Sequence, residues 1–446
     1  MPSANNERIL FYIANPYVFR SGAIGYLYEI AQVFPVVFLS EELDQETERV
    51  IKDKNLFPRL EEIVPIHQFT PFSGKRMNLF SKNFYLRDLA KEVLEQYKPA
   101  IVIVSSDTHS LFELYLMRFA KRKKILKIAV QMANVENSST IVKRVDLTNA
   151  YLRFHIFLPV WLKLCLVKIR KYCGHFLYYY FLPVLVGEPP FFGKSSYILY
   201  KGASGMRDAD YQTVFSRKDF EIYLKDGVPE KKLYIVSHPL KTKTKEFFRR
   251  AFWKSEMKKK DEKIVLLLLP EDKIGFRKKD SSLISEKEMK ETRLEIARLV
   301  DRFLPDWQII LKPHPDIKDI NLAVEGFKEI SDNIKIADKN APLDKYIEES
   351  SVIVELPLAA GTALFTAALQ CKDKPILSLD FNKELLGDYY RNFEGIEYID
   401  NKEKFTEILE LIRDNKYRKS CEVKLEPEGF MSITNFLEFL IKEHGK

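Results

Sequence analysis

Short apolar runs alternate with helix-like segments along most of the chain, and this alternation limits the possible folds more than any other feature. RILFYIA (8–14), PVVFLS (35–40) and PAIVIVSS (99–106) are almost continuous in aliphatic and aromatic residues. Such runs are typical of strands buried on both faces. Helix-like segments, including LRDLAKEVLEQYK (86–98) and FELYLMRFAKR (112–122), separate them. Strands of this kind joined by helices indicate a parallel sheet that helices cover on both sides.

The same pattern restarts at residue 263, after a charged stretch without strand character. KIVLLLLP (263–270), WQIILKPHP (307–315) and SVIVELP (351–357) predict a second set of buried strands. A chain of 446 residues is also too long for one ordinary core. We therefore predict two tandem doubly wound, Rossmann-like α/β domains with a cleft between them. The predicted parts are an N-terminal domain (1–240) with an insertion at 151–187, a linker (241–262), a second α/β domain (263–427) and a C-terminal helix (428–446).

The distribution of charge and the number of cysteines indicate which partners and which cellular location this protein is expected to have. The 71 basic and 63 acidic residues give a net charge of +8, and basic clusters occur at 121–127, 163–171 and 241–263. These clusters suit anionic partners or, equally, solvated helix faces. No nucleic-acid-binding module accompanies them, so nucleic-acid binding ranks last. The four cysteines are too widely spaced for a zinc or disulfide framework, and the N-terminus lacks a signal-peptide pattern. A reducing cytoplasm is the expected location.

The insertion at 151–187 combines aromatic, aliphatic and basic residues. Lys163, Lys168, Arg170 and Lys171 interrupt it, so it contains no uncharged stretch long enough for a membrane-spanning helix. Cations beside Phe, Trp and Tyr are instead typical of a helix that lies in the membrane interface. A buried core helix has a similar composition. The sequence thus predicts either peripheral contact with the inner face of the plasma membrane or a core element.

Polar residues that directly follow the predicted strands are the site candidates, because ligands of open parallel sheets bind beyond the carboxyl ends of the strands. The first domain contributes Ser21, Gly22, Asp107 and Glu136, and the second contributes Glu271, Lys312, His314, Glu355, Gly361 and Thr362.

A small-residue turn in ELPLAAGTALFTAALQ predicts an anion site. The strand ends before the turn, and a helix begins near Gly361 or Thr362. Exposed N–H groups and the helix dipole at such a start bind phosphate, although a plain capped turn would look the same. The sequence contains no P-loop and no GxGxxG. It therefore does not support a Walker-type kinase or a dinucleotide-dependent dehydrogenase.

One histidine stands between two prolines where a predicted strand ends. Pro313 and Pro315 restrict the backbone around His314 and direct it away from the strand ladder. Its imidazole is suited to hydrogen-bond a phosphate or to protonate a leaving group near neutral pH. Lys312 adds a cation nearby, and a packing histidine is the alternative. His238, in a second His-Pro pair, is as well explained by a structural role at the end of the first domain.

Three segments carry a resemblance to a known superfamily. LKPHPD (311–316), SSVIVELPLAAGTALFTAALQCKDKPILSL (350–379) and VFSRKDFEIYLKDGVPEKKLYIVSHPL (214–240) resemble GT-B-fold glycosyltransferases that build bacterial surface polymers. The similar proteins are capsule Kdo transferases, sialyltransferases with an His-Pro motif and teichoic-acid glycerophosphotransferases. The resemblance covers about 200 residues of the second half; the first half shares only the α/β pattern.

The resemblance implies a site in which a nucleotide sugar is the substrate and no cofactor or metal takes part. His314, Lys312 and the Gly361–Thr362 helix start would hold the donor phosphates. Asp107, with Glu136 second, would be the general base that removes the proton of the acceptor hydroxyl. Ser21, Gly22, Glu271 and His238 complete the candidate donor-binding set.

Three functions follow from these expectations. The first is a metal-independent transferase that uses a lipid-linked or surface-polysaccharide acceptor at the cytoplasmic membrane face. The second is a UDP-sugar 2-epimerase-like isomerase, which would have little use for the 151–187 segment. The third is a non-catalytic GT-B paralogue. LFTAAL (364–369) lacks the glutamate by which many relatives hold the donor ribose, so the identity of the donor nucleotide stays open.

Overall fold

The computed structural model divides the chain into two compact units. It describes residues 7–13, 23–40, 43, 45–66, 79–105, 111–131, 162, 165–166, 169, 173, 176–191, 208–225, 227–237, 263–270, 284–315, 317, 319–341, 343–357, 364, 367–368, 371, 374–383, 390–391, 395–418 and 431–444. The first unit comprises Met1–Asp146, Phe157–Phe252 and Glu428–Lys446, and the second comprises Leu147–Ile156 and Trp253–Pro427.

A seven-stranded parallel sheet forms the centre of the first unit. Its strands are β1 (Ile9–Tyr12), β2 (Val36–Ser40), β3 (Leu60–Pro65), β4 (Ile101–Val104), β5 (Leu126–Val130), β6 (Tyr211–Val214) and β7 (Leu233–Ile235). They are arranged in the order β3-β2-β1-β4-β5-β6-β7. Every residue of β1, β2 and β4 is buried, as expected for a sheet covered on both faces.

All helices of the first unit but the last lie between consecutive strands in the sequence. They are α1 (Ile24–Val33), α2 (Gln45–Ile51), α3 (Leu79–Tyr97), α4 (Leu111–Arg122), α5 (Leu182–Leu185), α6 (Arg217–Lys225) and α11 (Ile433–His444). A π-helical stretch, Phe176–Phe181, precedes α5, and a single 3₁₀ turn, Glu230–Lys232, precedes β7. Although α11 lies at the end of the chain, Phe436, Leu437 and Leu440 on it are fully buried in this unit.

The second unit has a six-stranded parallel sheet. Its strands are β8 (Ile264–Leu269), β9 (Gln308–Pro313), β10 (Ile334–Ile336), β11 (Val352–Glu355), β12 (Ile376–Leu379) and β13 (Glu397–Ile399). They follow the order β10-β9-β8-β11-β12-β13. The helices are α7 (Glu286–Phe303), α8 (Ile320–Val324), α9 (Leu343–Glu349) and α10 (Lys402–Arg413). All six residues of β8, IVLLLL, are buried, which explains the most apolar run of the second half.

These two sheets confirm the predicted fold class of tandem doubly wound α/β domains. Most predicted strands agree with the structure to within two residues at each end, because their apolar runs are the buried centres of the sheets. Sequence analysis does not predict one strand, β13, because it has only three residues and two of them are partly exposed. None of the helices in the described parts of the chain is long and apolar enough to span a membrane.

Candidate active site

The carboxyl edge of the second sheet is the candidate donor site, because its strand order reverses there. Connections run in one direction from β8 through β9 to β10 and in the other from β11 through β12 to β13. The point of reversal lies between β8 and β11, which pair directly from Val265↔Val352 to Leu268↔Glu355. Open α/β sheets bind ligands beyond the carboxyl ends of the strands at such a point.

His314 lies at this edge, directly after β9, the strand next to β8. Its backbone N–H donates to the Leu269 carbonyl at 2.9 Å, and its carbonyl accepts the Ile317 N–H at 3.2 Å. The β8–β9 ladder runs as far as Leu269↔Pro313, so His314 is the first residue beyond the paired strand. The residue is exposed. Two backbone hydrogen bonds therefore fix the backbone position of an accessible imidazole.

Lys312 has a different environment from His314. Its side chain is only 5% exposed. The ammonium donates to the Lys339 carbonyl at 2.7 Å and to the Pro313 carbonyl at 3.1 Å, and the Lys339 ammonium donates to the Ile317 carbonyl at 2.8 Å. These contacts join the segment after β9 to the segment after β10. Lys312 thus positions the backbone around His314, and its predicted contact with a donor phosphate stays a prediction.

Burial also changes the proton affinity of Lys312. Removal of the ammonium from water lowers the pKa of Lys312 to about 8, and the Asp338 carboxylate opposes that shift. The site therefore holds a lysine that titrates much closer to neutrality than a lysine in water.

Buried charged groups continue along the same edge. Glu355 ends β11 and is 3% exposed, and Arg293 of α7 is 4% exposed with its Nη2 3.5 Å from the Pro357 carbonyl. Asp380 directly follows β12, and its Oδ2 accepts a hydrogen bond from the Tyr398 hydroxyl at 2.7 Å. Burial raises the pKa of Tyr398 to about 12, and its bond to Asp380 adds to the rise. Buried charges at one sheet edge are a feature of functional sites.

The first sheet reverses its strand order between β1 and β4, and a buried carboxylate lies beside that point. Ser105 directly follows β4, and its hydroxyl donates to Oε1 of Glu113 in the first turn of α4 at 2.6 Å. Glu113 is fully buried. The pair brackets residues 106–110, the segment that contains Asp107.

Three of the predicted site residues, Lys312, His314 and Glu355, fall within the described residues. The others lie outside them, so their predicted roles stay predictions: Ser21, Gly22, Asp107, Glu136, His238, Glu271, Gly361 and Thr362. In the described parts of both units, no group of three His, Cys, Asp or Glu side chains is suited to hold a metal ion.

Sequence reasoning missed three buried charged residues near these edges: Glu113, Arg293 and Asp380. Asp380 directly follows an apolar run, so the strand-end rule would have found it. Glu113 is an acidic residue on an otherwise apolar helix face, which is a weak signal. Arg293 lies on a strongly charged helix, EKEMKETRLEIARLVDRF, where nothing in the sequence separates it from the solvated residues.

The described end of the 151–187 segment presents an apolar surface, which we call the 176–185 surface. Phe176, Phe181, Val184 and Leu185 are between 39% and 62% exposed. Asn83, itself buried, fastens the segment: its Nδ2 donates to the Leu182 carbonyl at 2.6 Å and its Oδ1 accepts from Tyr115. The exposed side chains therefore project from an anchored backbone.

Comparisons with known proteins find this fold in solved structures. No family profile and no curated protein matches the sequence. The UDP-N-acetylglucosamine 2-epimerase from Rickettsia bellii aligns with a TM-score of 0.54 over 98% of this chain and 95% of its own, at 12% identity. The UDP-GlcNAc 2-epimerase from Neisseria meningitidis, bound to UDP-GlcNAc, gives 0.52 over 98% of both chains at 14% identity.

A third structure of the same kind agrees. It is a protein from Listeria monocytogenes described as a UDP-N-acetylglucosamine 2-epimerase, with a TM-score of 0.55 over 99% of this chain and 97% of its own, at 11% identity. At these identities the likeness establishes the fold alone. The predicted GT-B-like fold of two tandem α/β domains is confirmed at that level, and the resemblance to transferases with an His-Pro motif stays a prediction.

Proposed function

We propose that the protein is an enzyme that binds a nucleotide sugar at the carboxyl edge of its second sheet and breaks the bond between sugar and nucleotide phosphate. The observation that carries the proposal is the exposed His314, held by backbone hydrogen bonds beside the point where the strand order reverses. Support comes from the fold shared with structures described as UDP-GlcNAc 2-epimerases, one of them bound to UDP-GlcNAc.

Transfer to an acceptor is the reaction that we propose first. The acceptor hydroxyl forms a bond to the anomeric carbon while the bond from that carbon to the phosphate oxygen breaks. Asp107, with Glu136 as the alternative, takes the hydroxyl proton, and the nucleotide leaves with the bonding electron pair. His314 and the helix start that the sequence predicts at Gly361–Thr362 stabilise the developing negative charge on the phosphate. In this scheme Lys312 keeps the backbone around His314 in place.

The 176–185 surface favours a transferase that works beside a membrane. Residues 151–187 contain five basic residues and no acidic ones, and the surface exposes two phenylalanines, a valine and a leucine. Such a combination suits an anionic bilayer, in which cations meet lipid phosphates and apolar side chains enter the acyl boundary. We therefore propose peripheral contact with the inner face of the plasma membrane and a lipid-linked or polysaccharide acceptor.

Epimerisation at C2 of a UDP-sugar is the second candidate, favoured by the named activities of the similar structures. This reaction removes a proton from C2 and returns one on the opposite face, and the sugar stays the only substrate. It requires no acceptor and no membrane surface.

Incubation of the full chain with a panel of UDP-, CMP- and GDP-sugars tests the proposal. Acceptor-dependent release of free nucleotide supports the transferase, and interconversion of two sugars without net release supports the epimerase. Binding without either reaction would mean a non-catalytic nucleotide-sugar-binding protein and would overturn the proposal.

His314 provides the matched variants. We expect His314→Ala to lower kcat by about 10²–10⁴-fold on the identified donor, as for loss of a general acid or an anion-stabilising group. His314→Asn keeps a hydrogen-bond donor but cannot transfer a proton near neutrality. Recovery of activity in His314→Asn assigns His314 to phosphate binding, and its absence assigns His314 to proton transfer. Full turnover in both variants would contradict a role for this residue.

A further inference from the structure

A cavity of about 610 Å³ lies at the opposite, amino-terminal edge of the first sheet. The starts of β4, β5 and β6 form its floor, and the last turn of α11 forms one wall. Its lining combines aliphatic and charged side chains: Glu7, Ala100, Ile101, Lys124, Ile125, Leu126, Lys127, Asp210, Tyr211, Lys231, Lys232, Leu440, Ile441 and His444. The volume falls within the range of small-molecule sites, about 300–1,000 Å³. We call this space the α11 cavity.

The wall contributed by α11 is firmly docked. The Phe436 ring lies 4.9 Å from the Tyr234 ring and 6.2 Å from the Tyr211 ring. The Ser237 N–H donates to the Met431 carbonyl at 3.1 Å, just before the helix begins. The Tyr211 hydroxyl and Nε2 of His444 are 2.7 Å apart at the far end of the helix. The α11 cavity is therefore bounded by contacts at both ends of the helix.

Two of the four lysines that line the α11 cavity contact other residues of the first unit. The Lys127 ammonium, almost fully buried, lies 2.7 Å from Oδ2 of Asp210. The Lys232 ammonium donates to the Ala209 carbonyl at 2.6 Å. Each of these contacts satisfies one cation and ties the start of β5 or β7 to the segment before β6.

The other two lysines, Lys124 and Lys231, are exposed, and their ammonium groups make no hydrogen bond or ion pair with the described residues. The lining thus has four ammonium groups against the two carboxylates of Glu7 and Asp210. A net positive lining attracts anions, and the excess of two charges matches a phosphate monoester, which carries close to two negative charges at neutral pH.

We propose that the α11 cavity binds a small phosphate monoester with an apolar body. The phosphate lies between Lys124 and Lys231, and the apolar body packs against Ile125, Leu126 and Ile441, which are partly exposed. Such a ligand joins α11 to the sheet and so favours the docked helix. The inference does not depend on the proposed reaction, since all residues that line the α11 cavity belong to the first unit and the candidate donor site belongs to the second.

Calorimetric titration of the full chain with phenyl phosphate tests this proposal. We expect phenyl phosphate to bind more tightly than inorganic phosphate, which lacks the apolar body, and than benzyl alcohol, which lacks the charge. The double variant Lys124→Asn/Lys231→Ala should weaken phenyl phosphate binding about tenfold, the loss expected for two exposed ionic contacts. Asparagine is chosen at 124 because this residue has a positive φ of 58°.

The control is Lys98→Asn/Lys225→Ala, which removes the same charge at exposed positions outside the cavity. Lys98 also has a positive φ, 45°, so the backbone change is matched. The same titration in His314→Ala separates this cavity from the candidate donor site. Binding that survives in His314→Ala, falls in the cavity variant and slows amide exchange in residues 440–444 supports the proposal. Equal binding in the cavity and control variants, or loss of binding in His314→Ala, overturns it.

Discussion

Backbone hydrogen bonds and two prolines hold the backbone of His314. Pro313 ends the β8–β9 ladder, and the next N–H still reaches the Leu269 carbonyl at 2.9 Å. A proline on each side restricts the backbone further. These backbone contacts stay available when the imidazole is replaced, because none of them uses the side chain.

Lys312 gives the clearest pH prediction. Its pKa of about 8 in the folded state lies below its usual value of 10.5. Below pH 8 both folded and unfolded chains hold the proton, and burial costs stability. Between about pH 8 and 10.5 the unfolded chain binds a proton that the folded chain has lost, so stability from this group rises with pH. The full rise is at most about 3 kcal/mol.

Lys312→Met measures this effect. We expect the free energy of unfolding of the wild-type protein, minus that of the variant, to increase from pH 7.5 to pH 10, as measured by urea denaturation. Lys335→Met, which removes an exposed lysine from the neighbouring strand β10, controls for the loss of one charge. A difference that stays flat across this range would contradict the buried, desolvated ammonium.

Single residues also show what the sequence could and could not predict about the site. His314 was identifiable because two prolines and a strand end mark it locally. The contact of the Lys312 ammonium with the carbonyl of Lys339, 27 residues away along the chain, could not be predicted, and its contact with phosphate stays a prediction. Glu113 similarly depends on Ser105 at the end of the preceding strand. Partners brought together by tertiary packing leave no pattern in the sequence around either residue.

At the scale of elements, continuous apolar runs predicted the strands well because a sheet covered on both faces needs apolar residues at every position. All six residues of IVLLLL lie in β8. Short edge strands lack this requirement, and β13 was missed for that reason. The π-helical turn at Phe176–Phe181 was also beyond prediction, since the FLYYYF sequence fits a strand as well as a helix.

The 176–185 surface makes a prediction about membrane binding. Phe181→Glu/Val184→Glu places two acidic groups where two exposed apolar side chains stand. We expect this variant to bind phosphatidylglycerol vesicles at least about tenfold more weakly than the wild-type protein in sedimentation assays, because apolar contact is lost and like charges repel. Binding of the wild-type protein should also fall as salt increases.

Leu322→Glu/Leu411→Glu is the matched control, since both leucines are exposed on helices of the second unit. We expect it to bind vesicles like the wild-type protein. Equal binding by both variants, or no preference for anionic over zwitterionic vesicles, would contradict contact through the 176–185 surface.

At the scale of the whole molecule, the chain leaves the first unit, builds the second and returns as α11. The alternation of strands and helices predicted the two sheets. The sequence of a helix at the end of the chain does not indicate which of the two units it packs against. The structure assigns α11 to the first unit through Phe436, Leu437 and Leu440, all fully buried. The stability of the first unit should therefore depend on residues that lie more than 190 positions beyond β7.

Two buried phenylalanines test this dependence. Phe436 of α11 packs on Tyr234 in the first unit, and Phe405 of α10 packs 5.9 Å from Phe381 in the second. Each Phe→Ala change should cost about 3–5 kcal/mol. We expect Phe436→Ala to accelerate amide exchange in β4 to β7 while β8 to β13 keep their protection, and Phe405→Ala to do the reverse.

Equal acceleration throughout the chain in both variants would mean that the two units unfold together, despite their separate cores. Faster exchange confined to one unit in each variant would instead show that α11 stabilises a sheet whose strands end long before it in the sequence. Both phenylalanines are fully buried and both changes remove the same side-chain volume. The location of the lost protection then identifies the unit that each helix stabilises, independently of any ligand.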